Sequence, residues 1–221
     1  MKRFGHRRER RTRHRRTSDA RARPHQFESI YAGQPWWEIG RPQKALLAVA
    51  DRITGAILDA GCGTGENALF FASRGQKVTG IDFLTEPINL AMRKTAERGL
   101  TATFLVMDAL ALKGLPKVFD TVIDSGLFHV FGDDDRRRYV EGLAAVLKPG
   151  GRLYLLCFSD AEPGDQGPRR VTKKEIEDAF AEGWVLESVE PSRYEVRPDP
   201  NDGSFADGGP RAWFVVARRA G

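Results

Sequence analysis

The chain has 221 residues, 41% apolar and 29% charged, enough for one domain with a full core and ordinary for a globular protein. No apolar run approaches the ~20 residues of a membrane-spanning helix, and no period marks a solenoid or propeller, so both classes are excluded. The net charge of +5 is uneven: residues 1–24 carry eleven Lys or Arg against two acids, and the other 197 carry 24 basic against 28 acidic groups.

The basic segment 1–24 reads as a disordered tail, because a block of like charge cannot bury enough surface to fold. Non-specific contact with nucleic acid is expected only through that tail. The acidic body, 25–221, lacks the basic excess that a nucleic-acid reader needs. The two cysteines, Cys62 and Cys157, have no partner at metal-ligand spacing, so no metal is expected, and reduced thiols fit a cytoplasmic protein.

After Pro24 the chain turns aromatic, with Phe27, Tyr31, Trp36 and Trp37. Pro42 to Asp51 then reads as a helix with Pro42 in its first turn. From residue 55 strands and helices alternate. Ala56–Asp59 is a strand, Gly61–Gly65 a turn, and Glu66–Ser73 a helix that stops near Gly75. Lys77–Asp82 is the second strand. Thr85 caps a helix that ends at Gly99. Thr101–Met107 and Val118–Asp124 are the next strands, and Asp133–Leu147 is helical. The run Lys148-Pro149-Gly150-Gly151 is a stop, and Arg152–Phe158 is the fifth strand. Thr172 and Glu175 form a capping box before a helix to Ala181. Trp184–Tyr194 and Arg211–Arg218 are the last two strands. Alternation of this kind predicts an α/β fold, a parallel sheet covered on both faces, with ligands beyond the carboxyl ends of the strands.

The strand ends carry the chemistry. The first runs through Asp59 into Gly61, Gly63 and Gly65, a loop that turns sharply and lets a ligand approach the backbone. A dinucleotide loop would place its third glycine where Glu66 stands, which counts against a nicotinamide cofactor. The second ends at Asp82, about 20 residues on, placed to accept from two ribose hydroxyls. Phe83 can pack on a flat base. The third ends at Asp108 and Ala109. The fourth ends at Asp124 and Ser125, followed by Phe128 and His129. His129 is a candidate general base or hydrogen-bond partner, and equally a structural histidine satisfied by backbone.

These residues together resemble class I S-adenosylmethionine (SAM)-dependent methyltransferases over about residues 27–218. The matching features are Asp59-Ala60-Gly61-Cys62-Gly63-Thr64-Gly65, Asp82, Asp108 with Ala109, the loop Asp124–His129 and the turn Lys148–Gly151. The resemblance implies a Rossmann-like, seven-stranded, mostly parallel sheet with helices on both faces and an antiparallel last strand. It also implies a lid over about residues 25–52. SAM is the implied cofactor and S-adenosylhomocysteine its product. Trp36, Asp59, Gly61, Gly63, Asp82, Phe83, Asp108, Ala109, Asp124 and Ser125 are the expected cofactor contacts. Tyr31, Trp37, Phe128, His129 and Arg169 are expected at the acceptor, with His129 the catalytic candidate. The aromatic entry Tyr31–Gly40 looks like that of small-molecule members acting on thiols, halides, quinones or hydroxylated heteroaromatics. Methyl transfer to a small, flat or aromatic acceptor, through oxygen, sulfur or nitrogen, is therefore expected. A nicotinamide oxidoreductase and a non-catalytic SAM- or RNA-binding protein remain the alternatives.

Overall fold

Continuously apolar strands need cover on both sides, and the chain supplies it with helices alternating between two faces. In the computed structural model, residues 31, 33, 35–115, 118–164, 167–197 and 208–221 are described. The tail expected over 1–24 and Phe27 lie outside them.

The strands are β1 (Ala56–Ala60), β2 (Lys77–Asp82), β3 (Thr103–Val106), β4 (Phe119–Ser125), β5 (Leu147–Phe158), β6 (Trp184–Arg193) and β7 (Arg211–Arg219). They form one sheet in the order β3-β2-β1-β4-β5-β7-β6. The pairs among β1 to β5 are parallel, and β7 is antiparallel to both β5 and β6. The expected antiparallel last strand is thus present. The helices are α1 (Lys44–Leu47), α2 (Glu66–Ser73), α3 (Thr85–Glu97), α4 (Asp133–Val146) and α5 (Lys173–Ala179).

Side chains alternate across the sheet, as the strand period of two requires. Leu58, Val122, Leu153 and Leu155 join Tyr139 and Leu143 of α4 and Ile176 of α5 on one face. Ile57, Ile123 and Tyr154 join Leu69 and Phe71 of α2 and Ile88 of α3 on the other.

Thr85 does not cap α3, which begins at Thr85 itself behind an N-cap at Leu84 that offers no side-chain hydrogen bond. Two further elements differ from the sequence reading. The helix expected over Pro42–Asp51 is one turn, α1, followed by a separate 3-10 turn over Ala50–Arg52. Gln43, at the N-cap, gives α1 no side-chain hydrogen bond. Its amide donates to the Glu195 carbonyl and accepts from the Glu195 N–H instead. The fifth strand begins at Leu147, five residues early. Leu147 sits opposite Phe119 and Arg152 opposite Thr121, so Lys148–Gly151 is an irregularity within the strand. Gly150 has φ +78° there, and a Cβ on Gly151 would stand 2.9 Å from the Asp120 carbonyl oxygen.

The strand order reverses between β1 and β4, and a crevice forms where such a reversal occurs. Register sets Ala60 opposite both Ile81 and Asp124. Asp59, Asp82 and Asp124 therefore come within about one residue of the same row.

Candidate active site at the strand ends

The glycine loop needs left-handed backbone, with φ +68° at Gly61, +51° at Gly63 and +86° at Gly65. Only glycine enters that region without steric cost. Space is also tight. A Cβ on Gly63 would stand 2.8 Å from the Tyr31 hydroxyl, and one on Gly61 would stand 3.0 Å from Leu127. Tyr31 thus lies directly over the loop. Burial, then the Asp82 charge, pushes its phenol upward.

Asp59 is fully buried. Its Oδ2 accepts from the Ala68 N–H at 3.1 Å in the first turn of α2, while its Oδ1 has no hydrogen-bond partner among the described residues. Burial pushes this carboxyl up to about 7, with Asp124 and Asp82 adding to the shift. A buried oxygen left without a donor is costly and rare. A cationic donor arriving in the crevice would satisfy it.

Asp82 is 7% exposed. Its Oδ2 accepts from Gly63 N–H and its Oδ1 from Leu84 N–H, both at 3.0 Å. A carboxylate has about four lone-pair sites, so even with Phe83 N–H also drawn to it, room remains for a hydroxyl donor. Burial pushes its pKa up. Phe83 beside it is 38% exposed, a large apolar side chain facing out at this rim. Asp108 caps the 3-10 turn Ala109–Gly114 through an Oδ1 hydrogen bond from Leu110 N–H at 2.8 Å, and Ala109 is buried behind it.

Asp124 has a different surrounding from its sequence neighbours in role. It is fully buried, and its Oδ1 accepts from Leu127 and Phe128 N–H at 2.9 and 3.3 Å. Its Oδ2 accepts from the Tyr139 hydroxyl at 2.9 Å. Burial pushes it up to about 6. The carboxylate holds the loop after β4 and presents nothing to the crevice; the direct cofactor contact expected of it is corrected accordingly. Ser125, next in the chain, does line the crevice.

Phe128 is also placed differently from expectation. It is fully buried, stacked on Phe180 at 5.8 Å, with the Arg136 guanidinium 5.2 Å over its ring. It is core, because the 3-10 turn Phe128–Val130 points it inward under Asp124. Arg169 is drawn away by acids: it pairs with Glu175 of α5 and lies 3.6 Å from Asp133 of α4. That ties two helices together and leaves the acceptor role expected of it without support.

His129 is 4% exposed. Its Nδ1 accepts from the Phe158 N–H at 3.2 Å. Burial, then the Arg170 charge, lowers its pKa to about 3. A neutral ring with Nδ1 accepting must carry its proton on Nε2. The imidazole is held in place with its one N–H on Nε2, and the base role expected of it does not fit this tautomer.

The aromatic entry divides. Trp36 packs edge-on against Phe158 at 6.0 Å, beside Tyr194, and joins a small core cluster, so it stands back from the cofactor loop. Trp37 packs edge-on against Trp36 at 4.9 Å and Tyr31 at 6.0 Å. Tyr31, Trp37, Gly63, Asn67, Ser125 and Tyr194 are among the walls of one chamber of about 70 Å³.

Sequence reasoning missed several groups here. Glu38 accepts from the Thr64 hydroxyl at 2.5 Å, and Lys94 donates to Thr64 Oγ1 at 2.7 Å and to Glu66 at 2.8 Å. Tyr194 donates its hydroxyl to the Leu156 carbonyl. Glu38, Lys94 and Tyr194 stand in no motif; Glu38 offered one signal, a lone acid within an aromatic run.

Known proteins resemble this chain in sequence and fold. A family profile described as "Methyltransferase domain" matches residues 57–151. A 2-heptyl-1-hydroxyquinolin-4(1H)-one methyltransferase of Mycobacteroides abscessus is 35% identical over 196 residues, covering 83% of this chain and 85% of its own. A structure solved for the conversion of a disulfide bond into a thioacetal group during echinomycin biosynthesis is 38% identical, with a TM-score of 0.76 over 88% of this chain and 91% of that one. The magnesium protoporphyrin IX methyltransferase of Synechocystis PCC 6803 with bound SAM shares the fold at 21% identity, with a TM-score of 0.58 over 80% of this chain and 76% of its own.

Proposed function

Since this chain belongs to the class I SAM-dependent methyltransferases, we propose that it methylates a hydroxyl oxygen on a small, flat heteroaromatic acceptor. The observation that carries this reading is the aromatic corner of Tyr31 and Trp37, set over Gly63 and opposite Ser125 in one chamber. Edge-packed rings offer apolar, rigid walls that suit a flat ring. The similarity to an enzyme named for a hydroxyquinolinone supports the same acceptor class.

SAM supplies a methyl group on a sulfonium, already a strong electrophile. Gly61 and Gly63 give it room at the backbone. Asp82 would receive its ribose hydroxyls, with Phe83 and Ala109 against the base and Asp108 at the base's edge. The unpartnered Oδ1 of Asp59 fits its ammonium group. The acceptor's proton leaves to solvent before the lid closes, and its oxygen then bonds to the methyl carbon as the carbon–sulfur bond breaks. The protein's part is alignment and exclusion of water. Segment 35–43, fastened at Glu38 and Gln43, serves as the lid. His129, anchored through Nδ1 to Phe158 N–H, moves no proton.

The test supplies the purified full chain with SAM and either 2-heptyl-1-hydroxyquinolin-4(1H)-one or an alkyl thiol, with methylated product followed by mass spectrometry. Transfer to the hydroxyquinolinone is expected. Transfer to the thiol alone would move the reading to sulfur, which the 38% identical structure favours. No transfer to either would remove the acceptor class.

A further inference from the structure

The lid segment is held from two sides. On the β6 side Arg41 forms a two-pronged pair with Glu195, at 2.7 and 2.8 Å, and Gln43 and the Lys44 N–H also bond Glu195. Trp36 is tied to the same side, its carbonyl accepting from Arg197 N–H at 2.8 Å. Between these anchors the chain forms a tip, Trp37 to Gly40. Gly40 has φ +74° and open space where a Cβ would stand. A glycine with nothing packed on it gives the tip no stiffness, so the tip must be held down by contacts of its own.

Those contacts run from Glu38 to α3. Glu38 Oε2 accepts from the Thr64 hydroxyl at 2.5 Å, and Thr64 Oγ1 accepts from Lys94 Nζ at 2.7 Å. Lys94 also donates to Glu66 at 2.8 Å and to the Thr64 carbonyl at 3.3 Å. An ammonium has three protons, and these three acceptors use them. Glu38 lies 4.0 Å from Nζ, beyond hydrogen-bond reach, so Lys94 acts on it through Thr64. A hydroxyl has one proton. With the Lys94 N–H on its oxygen, Thr64 turns that proton toward Glu38, and the neighbouring charge strengthens the bond. Lys94 is 18% exposed, Glu38 17% and Glu66 12%, so water competes little for them. Arg98 grips Glu66 from the far side with two bonds of 3.0 Å, which fixes the base of the chain. Thr64 stands between Gly63 and Gly65 in the glycine loop itself, and a Cβ on Gly63 would stand 3.6 Å from Glu38 Oε1. The carboxylate thus lies over the loop.

We propose that Lys94 is a positioning residue of the cofactor site. Through the Thr64 hydroxyl it holds Glu38, and with it the tip that carries Trp37, down on the glycine loop, and so sets how fast S-adenosylhomocysteine leaves. The inference rests on the reading of segment 35–43 as the lid and is independent of the acceptor.

The experiment measures release of S-adenosylhomocysteine from the full chain by stopped-flow tryptophan fluorescence, in the wild type, Lys94→Met, Glu38→Ala and the double variant. Each single variant should release it about tenfold faster, the size of one charge-assisted hydrogen bond. The double variant should be no more than about threefold faster than the faster single one, because both act on one chain; independent effects would multiply to about a hundredfold. Thr64→Val keeps the shape and removes the hydroxyl, so it should also speed release and carries the same test should Lys94→Met not fold. Multiplying effects in the double variant would overturn the proposal. Faster release in Glu38→Ala alone, with Lys94→Met and Thr64→Val releasing at the wild-type rate, would overturn it and leave the lid reading standing. A lower melting temperature in Lys94→Met at an unchanged release rate would reduce Lys94 to a structural residue. Tighter binding of cationic SAM at an unchanged release rate would mean that it acts by charge alone. An unchanged rate in all variants would remove the lid reading and this inference together.

Discussion

The ends of β1 and β2 and the end of β4 look alike in sequence, an apolar strand running into an aspartate, yet the fold treats them oppositely. Asp59 keeps an oxygen with no hydrogen-bond partner among the described residues, and Asp82 keeps open lone pairs beside the exposed Phe83. Asp124 has both oxygens taken by Leu127, Phe128 and Tyr139 and has no exposed surface. The two regions show that position at a strand end does not assign a role. The count of hydrogen bonds already made by the protein does, because a saturated buried carboxylate has nothing left for a ligand.

The largest expected effect breaks the saturated side. Asp124→Ala strands two backbone N–H groups and the Tyr139 hydroxyl in the core, and urea denaturation should show a loss of about 3 kcal/mol. The SAM dissociation constant of the remaining folded protein should move by less than about threefold, since that is below 1 kcal/mol. Asp82→Ala should do the reverse. It removes charge-assisted hydrogen bonds to ligand hydroxyls, so calorimetry should show SAM binding weakened by about ten- to a hundredfold, or ~1.5–3 kcal/mol. Equal SAM losses in both variants would erase the distinction between the regions.

Much of this was legible beforehand because strand ends are local. The alternation of elements, the glycine loop and the acids after β1, β2 and β3 are each written in a few contiguous residues. What was hidden depends on side chains meeting across the sequence. Phe128 is core because Arg136 comes to it from α4 and Phe180 from the C-cap of α5. Arg169 is claimed by Glu175 and Asp133. Gln43 abandons its helix for Glu195, 152 positions away. No periodicity or spacing records such partners.

A smaller effect sharpens the unsaturated side. Asp59 has a folded pKa of about 7, against roughly 3.9 unfolded. The folded protein holds this proton more tightly, so stability falls as pH rises from about 4 through about 7. Asp59→Asn keeps an acceptor for Ala68 N–H and removes the ionisation. Its melting temperature should exceed the wild type's at pH 8, with the advantage gone near pH 4, while its SAM affinity drops. Higher stability with unchanged affinity would mean that Asp59 serves the fold alone.

The smallest expected effect is at His129, on the saturated side. Its folded pKa of about 3 lies below the unfolded value of roughly 6.5. The neutral ring therefore contributes stability that is present above about pH 6.5 and is lost as pH falls toward 3. Glutamine can reproduce what the neutral ring does. Its Oε1 can accept from Phe158 N–H, and its amide places an N–H on the other side, as the neutral ring does. His129→Gln should thus keep kcat within about tenfold across pH 6–9 and resist acid better than the wild type in thermal melts at pH 4. A general base would behave otherwise, because its removal costs about a hundred- to ten-thousandfold in rate. A loss of that size, with S-adenosylhomocysteine binding intact, would restore His129 as a base and place a reactive group on the side of the crevice that the fold has otherwise sealed.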